Sequence, residues 1–173
     1  DLDGNLKSDG LWTYTWDAEN RLIGMTNTVT GGGIVNAQRK LLTFTYDHIG
    51  RRRTKTVSTW NGTAFASPVT TQFLYDDWRI IAEKDGGGAL VRSYVWGKDL
   101  GGDRDSAGGV GGLLMVIEHS PALAVHFSAY DGNGNVAGLV NATNEAVPAR
   151  YEYGPFGELV RASGPFARTN CFR

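Results

Sequence analysis

The feature that most constrains this chain is a short unit that recurs along it. The unit reads Asp, two variable residues, Gly or Asn, a polar residue and usually an aliphatic residue, and an aromatic residue generally precedes the Asp. Self-similarity of this kind marks a repeat architecture. Several aligned copies favour a repeat over a set of unrelated hairpins. The copies are DLDGNL (1–6), WDAENRL (16–22), YDHIGRR (46–52), YDGNGNV (130–136), YGPFGEL (153–159) and a shortened YDDWRII (75–81).

Each part of the unit predicts a piece of a β-hairpin. Leu42, Phe44 and Tyr46 alternate with polar residues, which is the pattern of a half-buried strand. The following Asp can accept hydrogen bonds from backbone N–H groups two or three residues on, and Gly or Asn suits a loop position with positive φ. The residues predicted to carry the architecture are Trp16, Asp17, Asn20, Tyr46, Asp47, Gly50, Tyr75, Asp76, Tyr130, Asp131, Gly134, Tyr153, Gly154 and Gly157.

The composition agrees with many short strands and turns. The 173 residues include 24 Gly and 5 Pro, and 11% are aromatic. A net charge of −1 gives no indication of nucleic acid or an acidic membrane as a partner. The single cysteine, Cys171, allows neither an intrachain disulfide nor a cysteine-rich zinc site. No stretch approaches the roughly 18 apolar residues of a membrane helix, so we expect no membrane span.

The start of the chain indicates a piece of a longer protein. Asp1 is the turn Asp of a unit that lacks its aromatic strand, and there is neither an initiator Met nor a signal peptide.

Along the chain, turns recur without an evident linker or a long helical pattern. Loops are expected at 30–38 and in the glycine-rich stretch 97–112. The strands are expected at 11–16, 21–28, 41–46, 52–60, 70–75, 79–84, 90–96, 113–119, 124–130, 136–140, 150–153 and 158–161.

These residues resemble the Rhs/YD-repeat family. The resemblance rests on the units themselves and on three segments: FLYDDWRIIAE (73–83), YVWGKDLGGDRDSAGGVGGLLMV (94–116) and the stretch from YDGNGNV to GPFA (130–167). It implies YD repeats over residues 1–90 and part of the Rhs core, approaching its C-terminal end, over 91–173. The implied fold is all-β: an antiparallel hairpin array in a curved or spiralling sheet, as a segment of a β-shell.

In this family, the shell encloses a toxic C-terminal domain in bacterial Rhs polymorphic toxins and in the C component of insecticidal Tc toxin complexes. Animal teneurins use a similar shell for cell-surface recognition. The family's core typically closes with a DPxG segment whose aspartates release the cargo by self-cleavage. The present sequence ends in Asn170-Cys171-Phe172-Arg173 without such a segment, so no catalytic aspartate is carried over.

The sequence offers candidate phosphate, calcium and histidine sites, but structural roles explain these residues better. The glycine-rich loop lacks the Gly-Lys-Ser/Thr ending of a phosphate-binding loop, and 131–142 lacks the closing Glu of a calcium loop. His119 and His126 flank a bend, but a metal or catalytic pair needs further ligands or a placed carboxylate. His48 is expected in a turn. No cofactor is expected.

Two surface patterns also have alternatives. In RRRTK (51–55), strand alternation predicts that Arg51, Arg53 and Lys55 lie on one face. A solvated edge or an ion-pair site is favoured for these residues over a contact with nucleic acid or cargo. Rows of Trp and Tyr at 12–16 and 94–96 favour cross-strand packing over sugar binding.

The predicted function is structural: the segment extends a shell that encapsulates a C-terminal toxin or effector for delivery, without catalysis of its own. Expected partners are the rest of the same chain, its effector domain and delivery-system proteins, in a secreted or cell-surface protein. The alternatives are a recognition module for carbohydrate or protein and a non-functional gene fragment.

Overall fold

Residues 1–27 and 38–173 are described here from a computed structural model. They form twelve strands in one open sheet in which each strand is hydrogen-bonded to the next one along the chain. The predicted all-β antiparallel hairpin array is therefore confirmed. Apart from Gln38, the loop predicted at 30–38 and the expected strand residue Thr28 lie outside the described residues. The strands are β1 (Trp12–Trp16), β2 (Leu22–Asn27), β3 (Lys40–Tyr46), β4 (Arg52–Trp60), β5 (Phe65–Asp76), β6 (Arg79–Asp85), β7 (Leu90–Trp96), β8 (Leu113–Glu118), β9 (Ala124–Tyr130), β10 (Val136–Asn141), β11 (Ala149–Tyr153) and β12 (Leu159–Ser163).

Strand β5 is longer than the alternation predicts. It begins at Phe65 rather than Thr70 because the sheet absorbs the irregular Ser67-Pro68 step as a register shift opposite β4. Ser67 has a φ of 51°. Proline cannot donate to a strand ladder and is tolerated at such bulges.

The described residues divide into two compact units. The first comprises Asp1–Leu74 and Glu83–Ala89, and the second comprises Tyr75–Ala82 and Leu90–Arg173. No helix in the described part of the chain has the length and apolar character needed to cross a membrane.

In the first unit, the buried rings belong to Phe44 and Phe73. The guanidinium of Arg52 lies over both of them, with its central carbon 5.7 Å from the Phe44 ring centre and 4.8 Å from the Phe73 ring centre. Such contacts favour Arg over Lys because the planar guanidinium stacks on aromatic faces.

The second unit has a larger core on one face of its strands. Val116, Leu139 and Ala149 are completely excluded from solvent. They pack with Tyr94, Leu113, Val136 and Tyr151 from the strands and with Phe166 and Ala167. The last two belong to the C-terminal segment, residues 164–173, which thus supplies part of this core.

Candidate functional site

The turn Asp of each full unit holds its hairpin loop closed. In the third copy, Asp47 Oδ1 accepts hydrogen bonds from the backbone N–H groups of Ile49 (3.1 Å) and Arg51 (2.9 Å). Its Oδ2 accepts one from Nε of Arg51 at 2.7 Å. The N–H of Gly50, whose φ is 88°, donates to the carbonyl of Asp47. This arrangement is called the Asp clamp below.

The same clamp recurs with different side chains in the fifth position of the unit. Arg21 donates through Nε to Asp17, and Asn135 donates through Nδ2 to Asp131. The position with positive φ is occupied by Asn20 in the former and by Gly134 in the latter. Asn5 and Asp1 repeat the pattern at the start of the chain. The polar residue that follows the Gly or Asn is therefore a partner of the Asp.

The aromatic residue before the turn ties its unit to the preceding one. Tyr46 donates its hydroxyl hydrogen to the carbonyl of Leu22, which is the last residue of the previous unit, at 2.7 Å. Four further aromatic residues, one of them Trp96 outside the predicted copies, make the equivalent bond, and we call it the aromatic staple. The further pairs are Trp16 Nε1 to Leu6, Trp96 Nε1 to Ile80, Tyr130 to Leu113 and Tyr153 to Val136, at 2.8, 2.9, 2.5 and 3.0 Å.

A β-bulge accompanies each of these five aromatic residues. Tyr46 lies opposite Arg52, but Thr45 lies opposite Thr54, so Arg53 is an extra residue in β4. Equivalent register shifts occur at Trp16, Trp96, Tyr130 and Tyr153. A bulge bends its strand and increases the local right-handed twist, so these five hairpins share the same distortion.

The bulge also overturns the predicted face for RRRTK. Arg52 lies opposite Tyr46 and Lys55 lies opposite Phe44, so these two share a face. Strict alternation, which would place Arg51, Arg53 and Lys55 together, is wrong because the extra residue resets the period. Arg51 itself is engaged by Asp47.

In the last copy, at 153–159, the carboxylate in the turn comes from Glu158, on the other side of the turn from the usual Asp. Gly154 occupies the Asp position and keeps the backbone bonds, from its N–H to Glu158 and from Gly157 to its own carbonyl. The Glu158 carboxylate accepts the N–H of Phe156 at 3.1 Å. It also fills the space in which a Cβ on Gly154 would lie.

The shortened copy differs in its ion pairs. Asp76, predicted as a turn Asp, is the last residue of β5, and its carboxylate pairs with Arg104. Arg79, which follows this turn, pairs through Nη2 with Asp105 at 2.8 Å. The loop between its strands has only two residues, 77–78, whereas the loop of the third copy has five, 47–51. Both charged groups contact the glycine-rich loop. The positive φ of 52° falls on Asp77.

Tyr75 lies in β5 and lines a cavity of about 360 Å³ beside Trp78 and Arg79.

Two further clamps lack the motif that revealed the others. Asp85 accepts the N–H groups of Gly87 and Ala89, both at 2.9 Å. Asp99 accepts the N–H of Gly101 at 2.8 Å, and Gly102 takes the positive φ. The signal in the sequence is an Asp with Gly three residues later, without a preceding Tyr.

In the copies at 16–22, 46–52 and 130–136, the clamp lowers the pKa of its carboxyl group. Partial burial alone would raise the pKa of Asp47, but the hydrogen bonds from Arg51 and Ile49 outweigh it and lower the pKa from 3.8 to about 2. The backbone N–H of Arg21 is the main cause that lowers the pKa of Asp17. Asn135 does so for Asp131 through its side chain. The staple hydroxyls show the opposite direction, since burial raises the pKa of Tyr46, Tyr130 and Tyr153.

Several known proteins are similar to this chain over most of its length. The tRNA3(Ser)-specific nuclease WapA of Bacillus spizizenii is 30% identical over 159 residues, which is 91% of this chain and 6% of the nuclease. The tRNA nuclease WapA of Bacillus subtilis strain 168 and the tRNA(Glu)-specific nuclease WapA of Bacillus subtilis subsp. natto match at 30% and 31% over the same shares. No family model matches the chain.

Solved structures show the same fold. A chain of the Photorhabdus luminescens Tc holotoxin pore superposes with a TM-score of 0.64 at 13% identity, covering 100% of this chain and 8% of its own length. A chain of the TcdB2–TccC3 complex superposes with a TM-score of 0.60, covering 94% and 8%. The chain is related to the Rhs/YD-repeat proteins. It spans only a small part of each of these larger, toxin-related and nuclease proteins.

In this chain, the backbone N–H groups of the glycine-rich loop are directed at one carboxylate. Asp99 Oδ2 accepts the N–H groups of Ala107 (2.7 Å) and Gly109 (3.1 Å), in addition to the bond from Gly101 to Oδ1. Asp99 is only 7% exposed. The amides that a phosphate group would use therefore bind the chain's own Asp. Gly102, Gly108, Gly109 and Gly111 have positive φ, as the loop interpretation expects.

Phe172 of the C-terminal segment covers one of the aromatic rows considered for sugar binding. It packs edge-to-face against Tyr94 and Trp96, with ring centres 4.8 and 5.2 Å apart. The Tyr94 hydroxyl lies 3.2 Å from Cys171 Sγ. Both rings of this row thus have structural partners.

The histidines near the bend have separate partners. His119 Nε2 lies 2.8 Å from Ser93 Oγ, whereas His126 Nε2 lies 3.3 Å from Glu118. The buried His126 ring also stacks on Phe166. Ser93 and His119 have the contact of a nucleophile and a base, but a catalytic pair also requires a group that orients the histidine. Within residues 1–27 and 38–173, no three or more His, Cys, Asp or Glu residues form a group able to hold a metal ion.

Proposed function

We propose that this chain forms part of the wall of a YD-repeat shell that encloses a polypeptide belonging to the same protein. The observation that carries the proposal is the repeated unit of clamp, staple and bulge in one sheet that keeps sequence order. Each unit is bonded to the preceding one, and each adds the same twist. A wall built in this way extends by addition of units.

The proposed role is containment, and catalysis lies elsewhere in the protein. The polar groups of the repeat are engaged in hydrogen bonds that maintain the architecture: carboxylates in clamps, hydroxyls and indole nitrogens in staples. In the full protein, the partners would be the neighbouring repeats, an effector polypeptide and components that deliver it from the cell. The Tc toxin chains and the WapA nucleases offer the context for this proposal.

A chimera tests containment. The matched stretch of Bacillus subtilis WapA would be replaced by this chain, and limited proteolysis would report the protection of the remaining protein. We expect protection equal to that of WapA. A second chimera with Tyr130→Phe and Tyr153→Phe is expected to lose protection, because two staples are removed. Equal protease sensitivity of the first chimera and an unfolded control would contradict the proposal.

The absence of catalysis has its own test. The 173-residue chain is incubated with bulk tRNA, and cleavage is followed by gel electrophoresis with WapA as the positive control. We expect no cleavage above that of a buffer control. Cleavage that persists through purification and disappears on Ser93→Ala or His119→Ala would overturn this part of the proposal.

A further inference from the structure

The glycine-rich connection between β7 and β8, residues 97–112, contacts the turns of two other hairpins. In an array of repeats, each unit normally contacts only its neighbours along the chain. This connection belongs to the hairpin of β7 and β8, and it touches the turns of both neighbouring hairpins, at 76–79 and at 131–135. All these residues belong to the second compact unit.

The connection is internally fixed. The buried Asp99 carboxylate gathers the N–H groups of Gly101, Ala107 and Gly109, which are spread over nine residues of chain. The N–H of Leu100 donates to the carbonyl of Val110 at 2.9 Å. These bonds join the two halves of the connection.

The contact with the earlier turn is electrostatic. Asp76 pairs with Arg104, and Arg79 pairs with Asp105, so each side contributes one acid and one base. Arg79 is only 8% exposed, and the backbone of Gly109 lies against its guanidinium. In the two full units that have an Arg after the turn, Arg21 and Arg51, this Arg binds its own turn Asp instead. The shortened turn therefore redirects both charges to the connection.

The contact with the later turn is apolar. A Cβ on Gly134 would lie 2.5 Å from Leu100 Cδ1 and 2.9 Å from Val110 Cγ1. Both side chains thus rest directly on the backbone of that turn. Elsewhere in the chain the same position is open, since a Cβ on Gly50 or Gly157 would meet nothing within 4 Å.

We propose that residues 97–112 form a strap that couples the turn at 76–79 to the turn at 131–135 across the intervening hairpin. Opening of either turn loosens the strap and promotes opening of the other. The strap makes three successive hairpins one cooperative element. This inference concerns the chain itself and does not depend on what the shell encloses.

Amide hydrogen exchange followed by mass spectrometry tests the strap on the full chain. Leu100→Ala removes the contact with the later turn, together with a contact inside the connection at Gly111. The strap predicts that exchange accelerates by about threefold or more in peptides covering 75–80 as well as in those covering 131–135. The reciprocal variant, Arg104→Ala, alters an exposed pair and is expected to accelerate exchange in 131–135. Leu123→Ala, at an exposed Leu outside the strap, is the matched control.

A strap and a purely local contact predict different exchange patterns. Acceleration in both turns with either variant supports the strap. Acceleration confined to 97–112 and the turn that the substituted residue touches would overturn it. Should Leu100→Ala unfold the second unit, Arg104→Ala alone decides, because its side chain is 56% exposed and its loss leaves no cavity in the core.

Discussion

At the scale of single residues, the recurring Asp and aromatic positions of the repeat have specific hydrogen-bonding roles. The aromatic residue contributes a polar hydrogen as well as its ring, because Tyr and Trp donate to a backbone carbonyl earlier in the chain. The Asp uses one oxygen for backbone N–H groups and the other for a side chain. Phe in the aromatic position would keep the packing but leave a partly buried carbonyl without its partner.

Two glycines with the same backbone conformation should differ in their tolerance of substitution. Gly50 and Gly134 have φ values of 88° and 82°, which a β-branched residue adopts only with strain. Gly50→Val is expected to lower the free energy of unfolding by about 1–3 kcal/mol through this strain.

Gly134→Val adds a steric clash with Leu100 and Val110, which is expected to cost about 1–3 kcal/mol more. Urea unfolding of the two variants measures the difference directly. Equal losses for both would contradict the packing of the strap on Gly134, and unchanged stability of both would contradict the turn assignment.

At the scale of the hairpin, the clamp should make stability depend on acid pH. Asp47 has a pKa of about 2 in the folded chain, below its ordinary value of 3.8. A lowered pKa contributes stability that is present above the unfolded value and is lost as pH falls through the folded value. The free energy of unfolding should therefore decrease between about pH 4 and pH 2. Asp47→Asn should be less stable at neutral pH and show a shallower decrease; an identical slope would count against the clamp.

The last hairpin allows a clamp to be rebuilt by design. Gly154→Asp alone would place a second carboxylate beside Glu158, so we expect a loss of about 1–2 kcal/mol. Glu158→Asn alone removes the substitute carboxylate. The double variant reproduces the Asp131–Asn135 arrangement and is expected to recover at least the stability of the original chain. Thermal unfolding is measured for the original chain, the two single variants and the double variant. A double variant less stable than both single variants would show that an Asp carboxylate at position 154 cannot replace the Glu158 carboxylate.

Features that depend on neighbouring residues can be predicted from the sequence, whereas features that join distant residues cannot. Strands and turns follow from local patterns, such as alternation before Tyr46 and an Asp with Gly three residues later. The staples do not, because Tyr46 and Leu22 are 24 residues apart and no local rule pairs them. The bulges cannot be predicted for a related reason: an extra residue such as Arg53 resets alternation without changing composition. The sequence predicts a loop around Asp99 but not its role, because the partners of its carboxylate are spread over that loop. The packing role of residues 164–173 depends on contacts distant in sequence.

At the scale of the whole molecule, the repeat accounts for twelve strands with few large buried side chains. Only Leu139, Val116 and Asn170 have relative exposures below 2% among the larger residues described. A sheet with so small a core relies more on bonds between successive units, and the five staples supply such bonds. The buried Asn170 adds a further hydrogen bond, because its Nδ2 donates to the Tyr151 hydroxyl at 3.2 Å.

The staples are tested most directly by removing only their hydroxyl groups. Tyr46→Phe, Tyr130→Phe and Tyr153→Phe are made singly and together, and the free energy of unfolding is measured in urea. Each single change is expected to cost about 1–2 kcal/mol, because a carbonyl loses its donor while the ring is retained. Tyr14→Phe, whose hydroxyl bonds the exposed Asp9, is the matched control and should change stability by less than about 0.5 kcal/mol. The triple variant should lose approximately the sum of the three single costs; a triple variant as stable as the original chain would contradict the account.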